Sequence, residues 1–212
     1  MKRDVEAAGE QSGHDRETPG GARNLGRIST AGRRLLSGNV PRALDQLLDS
    51  VPWRGDELVL DVGTGSGLLL IAVARRLTTG RAIGIDVWSA EESSGNRPEV
   101  TLANARSEGV ADRIDLWEGD AQKLPFGDEE FDVVLSSLVL HNIGETAGRE
   151  QAVREMARVL KPGGRVLIQD SLHTEQYERA LKECGATDVT RSKLSFLLLP
   201  PVRVVSGTKA GA

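Results

Sequence analysis

Apolar positions along the chain fall into short continuous runs separated by stretches with helical spacing. Leu58-Val59-Leu60-Asp61-Val62 is the first run of buried-strand type. Arg81–Asp86 (RAIGID), Ile114–Glu118, Phe131–Leu135 and Arg165–Gln169 (RVLIQ) repeat it. Leu44, Leu47, Leu48 and Val51 are spaced i, i+3, i+4, i+7, which predicts an amphipathic helix with Pro41 in its first turn. Leu68–Leu77 predicts an apolar helix, and Pro98–Glu108 a helix stopped by Gly109. Val153, Met156, Ala157 and Leu160 mark a helix that ends at Lys161-Pro162-Gly163-Gly164, which reads as a helix stop and turn without chemistry. Tyr177, Ala180, Leu181 and Cys184 repeat the spacing before Gly185. The last apolar runs, Leu194–Leu199 and Val202–Val205, predict a terminal pair of strands. Strands alternating with helices of this length predict an α/β, doubly wound, mostly parallel sheet, because each crossover helix must bury its apolar stripe against a sheet face. Ligands of such sheets bind at the carboxyl ends of the strands. The loops beginning at Asp61, Asp86, Asp120, Ser136 and Asp170 therefore share one rim.

Composition narrows the picture. Residues 1–38 hold few large aliphatic side chains among Gly, Glu, Asp, Arg and Ser, which predicts a flexible or loosely packed arm ahead of a single domain over 39–212. An arm that closes over a substrate is the functional alternative. With 27 Lys and Arg against 31 Asp and Glu, the net charge of −4 offers no electrostatic footprint for a polyanion. Nucleic acid is therefore not the expected partner. No apolar run approaches the ~20 residues that span a bilayer, so no membrane partner is expected. The lone Cys184 fits a reducing compartment, and the expected location is cytoplasmic.

The main chemical signal is Asp61-Val62-Gly63-Thr64-Gly65-Ser66-Gly67, set between a strand and a helix. Its glycines permit a sharp turn and close approach of a ligand to the backbone. The spacing G-x-G-x-G differs from the dinucleotide fingerprint G-x-G-x-x-G, and no Lys-Ser/Thr pair of a P-loop follows. An acid two residues before the first glycine repels a pyrophosphate and suits a cationic amino group. Asp86 closes the next strand and is placed to accept hydrogen bonds from ribose hydroxyls. Gly119-Asp120-Ala121 follows the third strand with a rim carboxylate able to accept from an exocyclic amine.

With these residues in register, the chain resembles the class I S-adenosylmethionine-dependent methyltransferases. The resemblance is carried by VLDVGTGSG (Val59–Gly67), GID (Gly84–Asp86), GDAQKLPF (Gly119–Phe126), FDVVLSSLVLHNI (Phe131–Ile143) and RVLKPGGRVLI (Arg158–Ile168). It implies a Rossmann-like sheet of seven strands, the last antiparallel. It also implies S-adenosyl-L-methionine as cofactor, with Asp61 and Gly63, Thr64, Gly65, Ser66 and Gly67 at the methionine part. Asp86 would hold the ribose, Val87 and Trp88 would flank the adenine, Asp120 would accept from the adenine amine, and Ala121 would touch the ring through its backbone. Ser136 would approach the sulfonium. The stretch from Asp86 to Asn96 looks like a subgroup of small bacterial methyltransferases with a longer loop here.

A sulfonium methyl is already a strong electrophile, so the protein's part is to hold the acceptor in line and exclude water. A hydroxyl or carbon acceptor also needs a base. His141, on the loop leaving the fourth strand, is the candidate catalytic residue, because imidazoles exchange protons near neutral pH. Packing or capping is its alternative role, and His173 and Asp170 lie on the same rim. Three scattered histidines and one cysteine suggest no metal, and the paired Asp-Asn of magnesium-dependent family members is absent from the rim at Ser136-Ser137-Leu138. The Asn/Asp-Pro-Pro-aromatic motif of DNA- and protein-methylating relatives is missing too. The expected acceptor is a small, partly apolar molecule. Two other readings stand beside this one: a cofactor-binding scaffold without turnover, and an NAD-dependent oxidoreductase, which the glycine spacing and Asp120 disfavour.

Overall fold

The computed structural model describes residues 40–88 and 96–211. The arm expected over residues 1–38 lies outside the described residues, as does 89–95 within the loop after Asp86. The elements are α1 (Val40–Leu48), β1 (Leu58–Val62), α2 (Leu68–Ala74), β2 (Arg81–Asp86), α3 (Pro98–Ser107), β3 (Ile114–Glu118), β4 (Phe131–Ser137), α4 (Thr146–Val159), β5 (Leu160–Asp170), α5 (Thr174–Glu183), β6 (Ala186–Arg191) and β7 (Arg203–Lys209). The seven strands form one sheet in the order β3-β2-β1-β4-β5-β7-β6. The first five run parallel, and β7 is antiparallel to both β5 and β6. The order reverses between β1 and β4, which puts a crevice at the carboxyl ends of those two strands.

Alternating side chains divide the core into two layers, as a sheet covered on both faces requires. Val59, Val133, Leu135 and Leu167 pack with α1, α2 and Ala105 of α3. Leu60, Val134, Val166 and Ile168 pack with α4 and α5. The sequence of α2, LLLIAVA, is apolar on nearly every side, and it lies flush against the sheet with five of its seven residues buried.

Two expectations need correction. Leu194–Leu199 is not a strand; the partner of β7 is Ala186–Arg191 (ATDVTR), a polar edge strand whose exposed positions demand few apolar side chains. Of the apolar run, Leu198 is buried, packing with Val202 over Ala43 of α1, while Leu194, Phe196 and Leu199 are exposed. The segment Lys161–Gly164 stops α4, yet it is an excursion inside β5 rather than a turn before it. Phe131 pairs with Leu160 and Val133 with Arg165, so the extra residues bulge out around Gly163, at φ +77°.

Candidate active site

The glycine turn after β1 is held from several sides. The N–H groups of Gly63 and Thr64 both donate to the Ile85 carbonyl, at 2.8 and 3.1 Å, tying the turn to the end of β2. Gly63 (φ +77°) packs beneath Val139, leaving no room for a Cβ. That contact lays the loop leaving β4 across the glycine turn. Gly65 (φ +50°) differs: a Cβ built there meets nothing within 4 Å. No neighbouring side chain demands a glycine at 65, so the space above it is a cradle that a ligand can fill. Replacing Gly63 by alanine should cost about 3 kcal/mol, from left-handed strain plus overlap with Val139. Gly65→Ala should cost only about 1 kcal/mol yet weaken S-adenosylhomocysteine binding more than about tenfold, because the new methyl occupies the cradle. Thermal melts and calorimetry on the two variants separate these effects.

Asp86 is the hub of the adjoining wall. Its Oδ2 accepts from the Gly65 N–H at 2.9 Å, and its Oδ1 from the Trp88 N–H and the Asn96 side-chain amide, both at 3.0 Å. Both carboxylate oxygens are thereby fixed in direction, at 9% exposure. Trp88 takes a left-handed φ of +51° and donates its indole N–H to the Trp117 carbonyl, while Val87 is exposed. Leu138 and His173, just past β4 and β5, also have positive φ (+57° each). Backbone strain thus gathers where the strands end, which is typical of functional rims. The Gly119 N–H donates to the Asp86 carbonyl at 3.0 Å and sets the next loop beside this wall. Asp120 is exposed there, with Oδ1 accepting from the Gln122 N–H at 2.8 Å, and Ala121 is half-buried behind it.

Asp61 lies lower than the sequence suggested. It is buried, and its carboxylate accepts from the Thr64 hydroxyl at 2.8 Å and from the Leu70 N–H in the first turn of α2. Burial pushes its carboxyl up to about 7, against the lowering effect of the Thr64 hydrogen bond, and the nearby Asp86 charge adds to the rise. Ser66 is half-buried on the turn, and Gly67 opens α2 at φ +84°. Ser136 is buried at the end of β4 and donates its hydroxyl to the Val62 carbonyl at 2.9 Å, pinning β4 to β1.

Past β4, His141 sits on a single helical turn, Leu140–Asn142. Its Nδ1 is 2.7 Å from Oδ1 of Asp170, a fully buried carboxylate at the end of β5. Asp170 also accepts from the backbone N–H groups of His141 and Ser171, at 3.1 and 2.7 Å, and from the Tyr177 hydroxyl at 3.3 Å. Burial, reinforced by the Asp170 charge, raises the Tyr177 hydroxyl well above its ordinary range and keeps it a donor. An ionised carboxylate only accepts, so the contact with Asp170 places a hydrogen on Nδ1 of His141 and leaves Nε2 pointing away from it. His173 caps the next turn and takes no part in this cluster.

The family model for "Methyltransferase domain" matches residues 60–168, which run from within β1 through the glycine turn, Asp86 and the His141 loop into β5. The chain belongs to the class I S-adenosylmethionine-dependent methyltransferases. The chain is 37% identical over 130 residues to "Methyltransferase GfsG" of Streptomyces halstedii, covering 61% of this chain and 43% of that protein. It is 36% identical over 136 residues to a "Ubiquinone/menaquinone biosynthesis C-methyltransferase UbiE" of Pseudomonas fluorescens, covering 63% and 50%. It is 34% identical over 155 residues to the chloroplastic 2-phytyl-1,4-beta-naphthoquinone methyltransferase of Arabidopsis thaliana, covering 65% and 57%. The chain thus spans only about half the length of these relatives. Among solved structures, its fold is similar to that of the [4+2]-cyclase SpnF, with a TM-score of 0.67, 20% identity, and 82% of each chain covered. It is also similar to a SAM dependent methyltransferase from Aquifex aeolicus, with a TM-score of 0.58, 18% identity, and 78% and 88% covered.

Helix α3 adds residues that the sequence alone did not single out. Thr101 donates its hydroxyl to the Gly65 carbonyl at 2.6 Å, and Asn104 donates its amide to the Ser66 carbonyl at 2.9 Å. The available signal was their i, i+3 spacing, which puts two poor helix formers on one face.

Proposed function

We propose that the protein transfers a methyl group from S-adenosylmethionine to a small, partly apolar acceptor at a hydroxyl or an activated ring carbon. The observation that carries the choice of acceptor atom is the His141–Asp170 pair, since a neutral nitrogen or an ionised oxygen needs no base. The site suits the cofactor on two counts: open space over Gly65, and carboxylate acceptors at the ends of successive strands, Asp86 after β2 and the exposed Asp120 after β3. When bound, the cofactor supplies an electrophilic methyl with a neutral leaving group. Asp86 accepts from the ribose hydroxyls, and an all-acceptor wall excludes a 2′-phosphate. Trp88 and Val87 flank the base, with Asp120 and Ala121 at its amino edge. Gly63, Thr64, Gly65, Ser66 and Gly67 wrap the amino-acid end, and Ser136 closes the floor near the sulfur. Asp61 acts from beneath the turn by its charge. His141 takes the acceptor proton on Nε2, and Asp170 steadies the imidazolium that forms. Quinols and hydroxylated aromatics are the first acceptors to try, because two relatives are named for quinone methylation. A small acceptor and a lone free cysteine fit a cytoplasmic enzyme.

The test is incubation with isotopically methyl-labelled S-adenosylmethionine and a panel of phenols, dihydroquinones and primary amines. Label on oxygen or ring carbon, lost in His141→Ala, is expected. Tight cofactor binding with no labelled product would favour the scaffold reading. That reading keeps some interest because a protein named as a [4+2]-cyclase shares the fold.

The raised Asp61 carboxyl gives binding a pH dependence. In the free protein, Asp61 holds a proton between pH about 4 and about 7 that the unfolded chain releases, so fold stability falls as pH rises through that window. A cationic amino group arriving above it favours the ionised form, so binding expels that proton. Affinity for S-adenosylhomocysteine should therefore rise up to tenfold per pH unit toward pH about 7 and then level off. Calorimetry in buffers of different ionisation enthalpy should register the released proton, and Asp61→Asn should flatten the profile. A flat wild-type profile would remove Asp61 from the account.

A further inference from the structure

We infer that the segment opening α3 is a positioning clamp for the nucleoside site, with Asn96 fixing Asp86 while Thr101 and Asn104 fix the glycine turn. The inference rests on the cofactor reading above and assigns residues outside it.

Asn96 is 8% exposed, and its amide group donates to Asp86 Oδ1. An ionised carboxylate has no hydrogen to give, so the NH2 end must face Asp86 and the orientation of the amide is settled chemically. Its own Oδ1 is buried and has no partner among the described residues. Among the described residues, the side chain of this buried asparagine bonds to Asp86 alone. Removing that bond leaves Oδ1 of Asp86 held by the Trp88 N–H alone, which loosens the carboxylate, and its grip on the ribose hydroxyls depends on the orientation of both oxygens.

Thr101 is fully buried and does two things at once. Its hydroxyl holds the Gly65 carbonyl, and its methyl fills the space where a Cβ on Gly67 would sit, 2.5 Å from that position. Asn104 holds the next carbonyl, that of Ser66. In a planar trans peptide the N–H points opposite the C=O. Pinning the Gly65 carbonyl toward α3 therefore turns the Ser66 N–H to the other side, as a donor for the anionic end of an amino acid. Helix propensity does not account for Thr and Asn on this face, and packing alone would be served by apolar residues. Their polar atoms are spent on the turn.

The experiment is a cycle between side chain and ligand. S-adenosylhomocysteine and an analogue lacking both ribose hydroxyls are titrated into wild type and Asn96→Ala. The clamp predicts about tenfold weaker binding of the full ligand to Asn96→Ala and equal binding of the analogue to both proteins. An equal loss for both ligands means that Asn96 merely supports the fold, and overturns its role. Thr101→Val keeps the shape and removes the hydroxyl; it should also lose about tenfold, with Thr101→Ser restoring wild-type affinity to within about twofold. Val and Ser variants binding alike would overturn the second half, and Asn104→Ala supplies a surface-side check if Thr101→Val fails to fold. Wild type that binds neither ligand sinks the nucleoside reading and the clamp together; normal wild-type binding without the coupling sinks the clamp alone.

Discussion

Asp86→Ala should lose S-adenosylhomocysteine binding by at least about a hundredfold while the domain stays folded. The size follows from what the carboxylate does. Hydrogen bonds to a charged acceptor contribute roughly 1.5–3 kcal/mol each, and the ribose reading assigns two of them to Asp86. The substitution also strips the acceptor from the Gly65 and Trp88 N–H groups and from the Asn96 amide, so the cup loosens on both walls. The main core is untouched, because Asp86 ends β2 at the rim and both apolar layers lie behind it. A melting temperature lowered by several degrees, with a cooperative transition, is the matching stability result. Asp86→Asn separates charge from shape: it keeps one acceptor oxygen but turns an NH2 toward donors, and it should fall nearly as far as alanine. Affinity within about threefold of wild type in both variants would remove Asp86 from the cofactor site.

The second large effect concerns proton transfer. His141→Ala should lower kcat by about 10²–10⁴-fold on a hydroxyl or carbon acceptor, with S-adenosylhomocysteine affinity little changed. Asp170→Asn should fall in the same range for a different reason. The amide cannot offset the imidazolium, and its NH2 can face Nδ1 and force the wrong tautomer. Asp170 is buried beneath four donors, so this variant should also be less stable. Tyr177→Phe removes one donor from Asp170 and leaves the histidine pair intact, so a loss of no more than about tenfold is expected. An unchanged kcat in His141→Ala, measured on an acceptor that the wild type methylates, would assign His141 to packing.

The reach of the sequence differed between elements for physical reasons. The inner strands β1, β2 and β4 are legible because a strand covered on both faces is mostly apolar, and LVLDV, RAIGID and FDVVL carry polar residues chiefly at or near their ends. The edge strand β6 is not, because ATDVTR is half-exposed and its partner choice depends on β7. The run Leu194–Leu199 has the composition of a strand, but only Leu198 is buried, against Ala43 of α1, a contact no local pattern encodes. Positions on the rim followed from topology, so Asp86, Asp120 and His141 were found where expected. Pairings across the rim were not legible: His141 and Asp170 lie 29 residues apart, and only the parallel register of β4 and β5 brings them together. The burial of Asp61 was equally hidden, since a carboxylate at the end of a strand reads alike whether it faces a ligand or caps the helix beyond.

The most direct measurement is a side-by-side calorimetric titration of the 212-residue chain with S-adenosylhomocysteine and with NAD. The account predicts saturable one-to-one binding of the first and no heat from the second. Binding of NAD with silence from S-adenosylhomocysteine would contradict it.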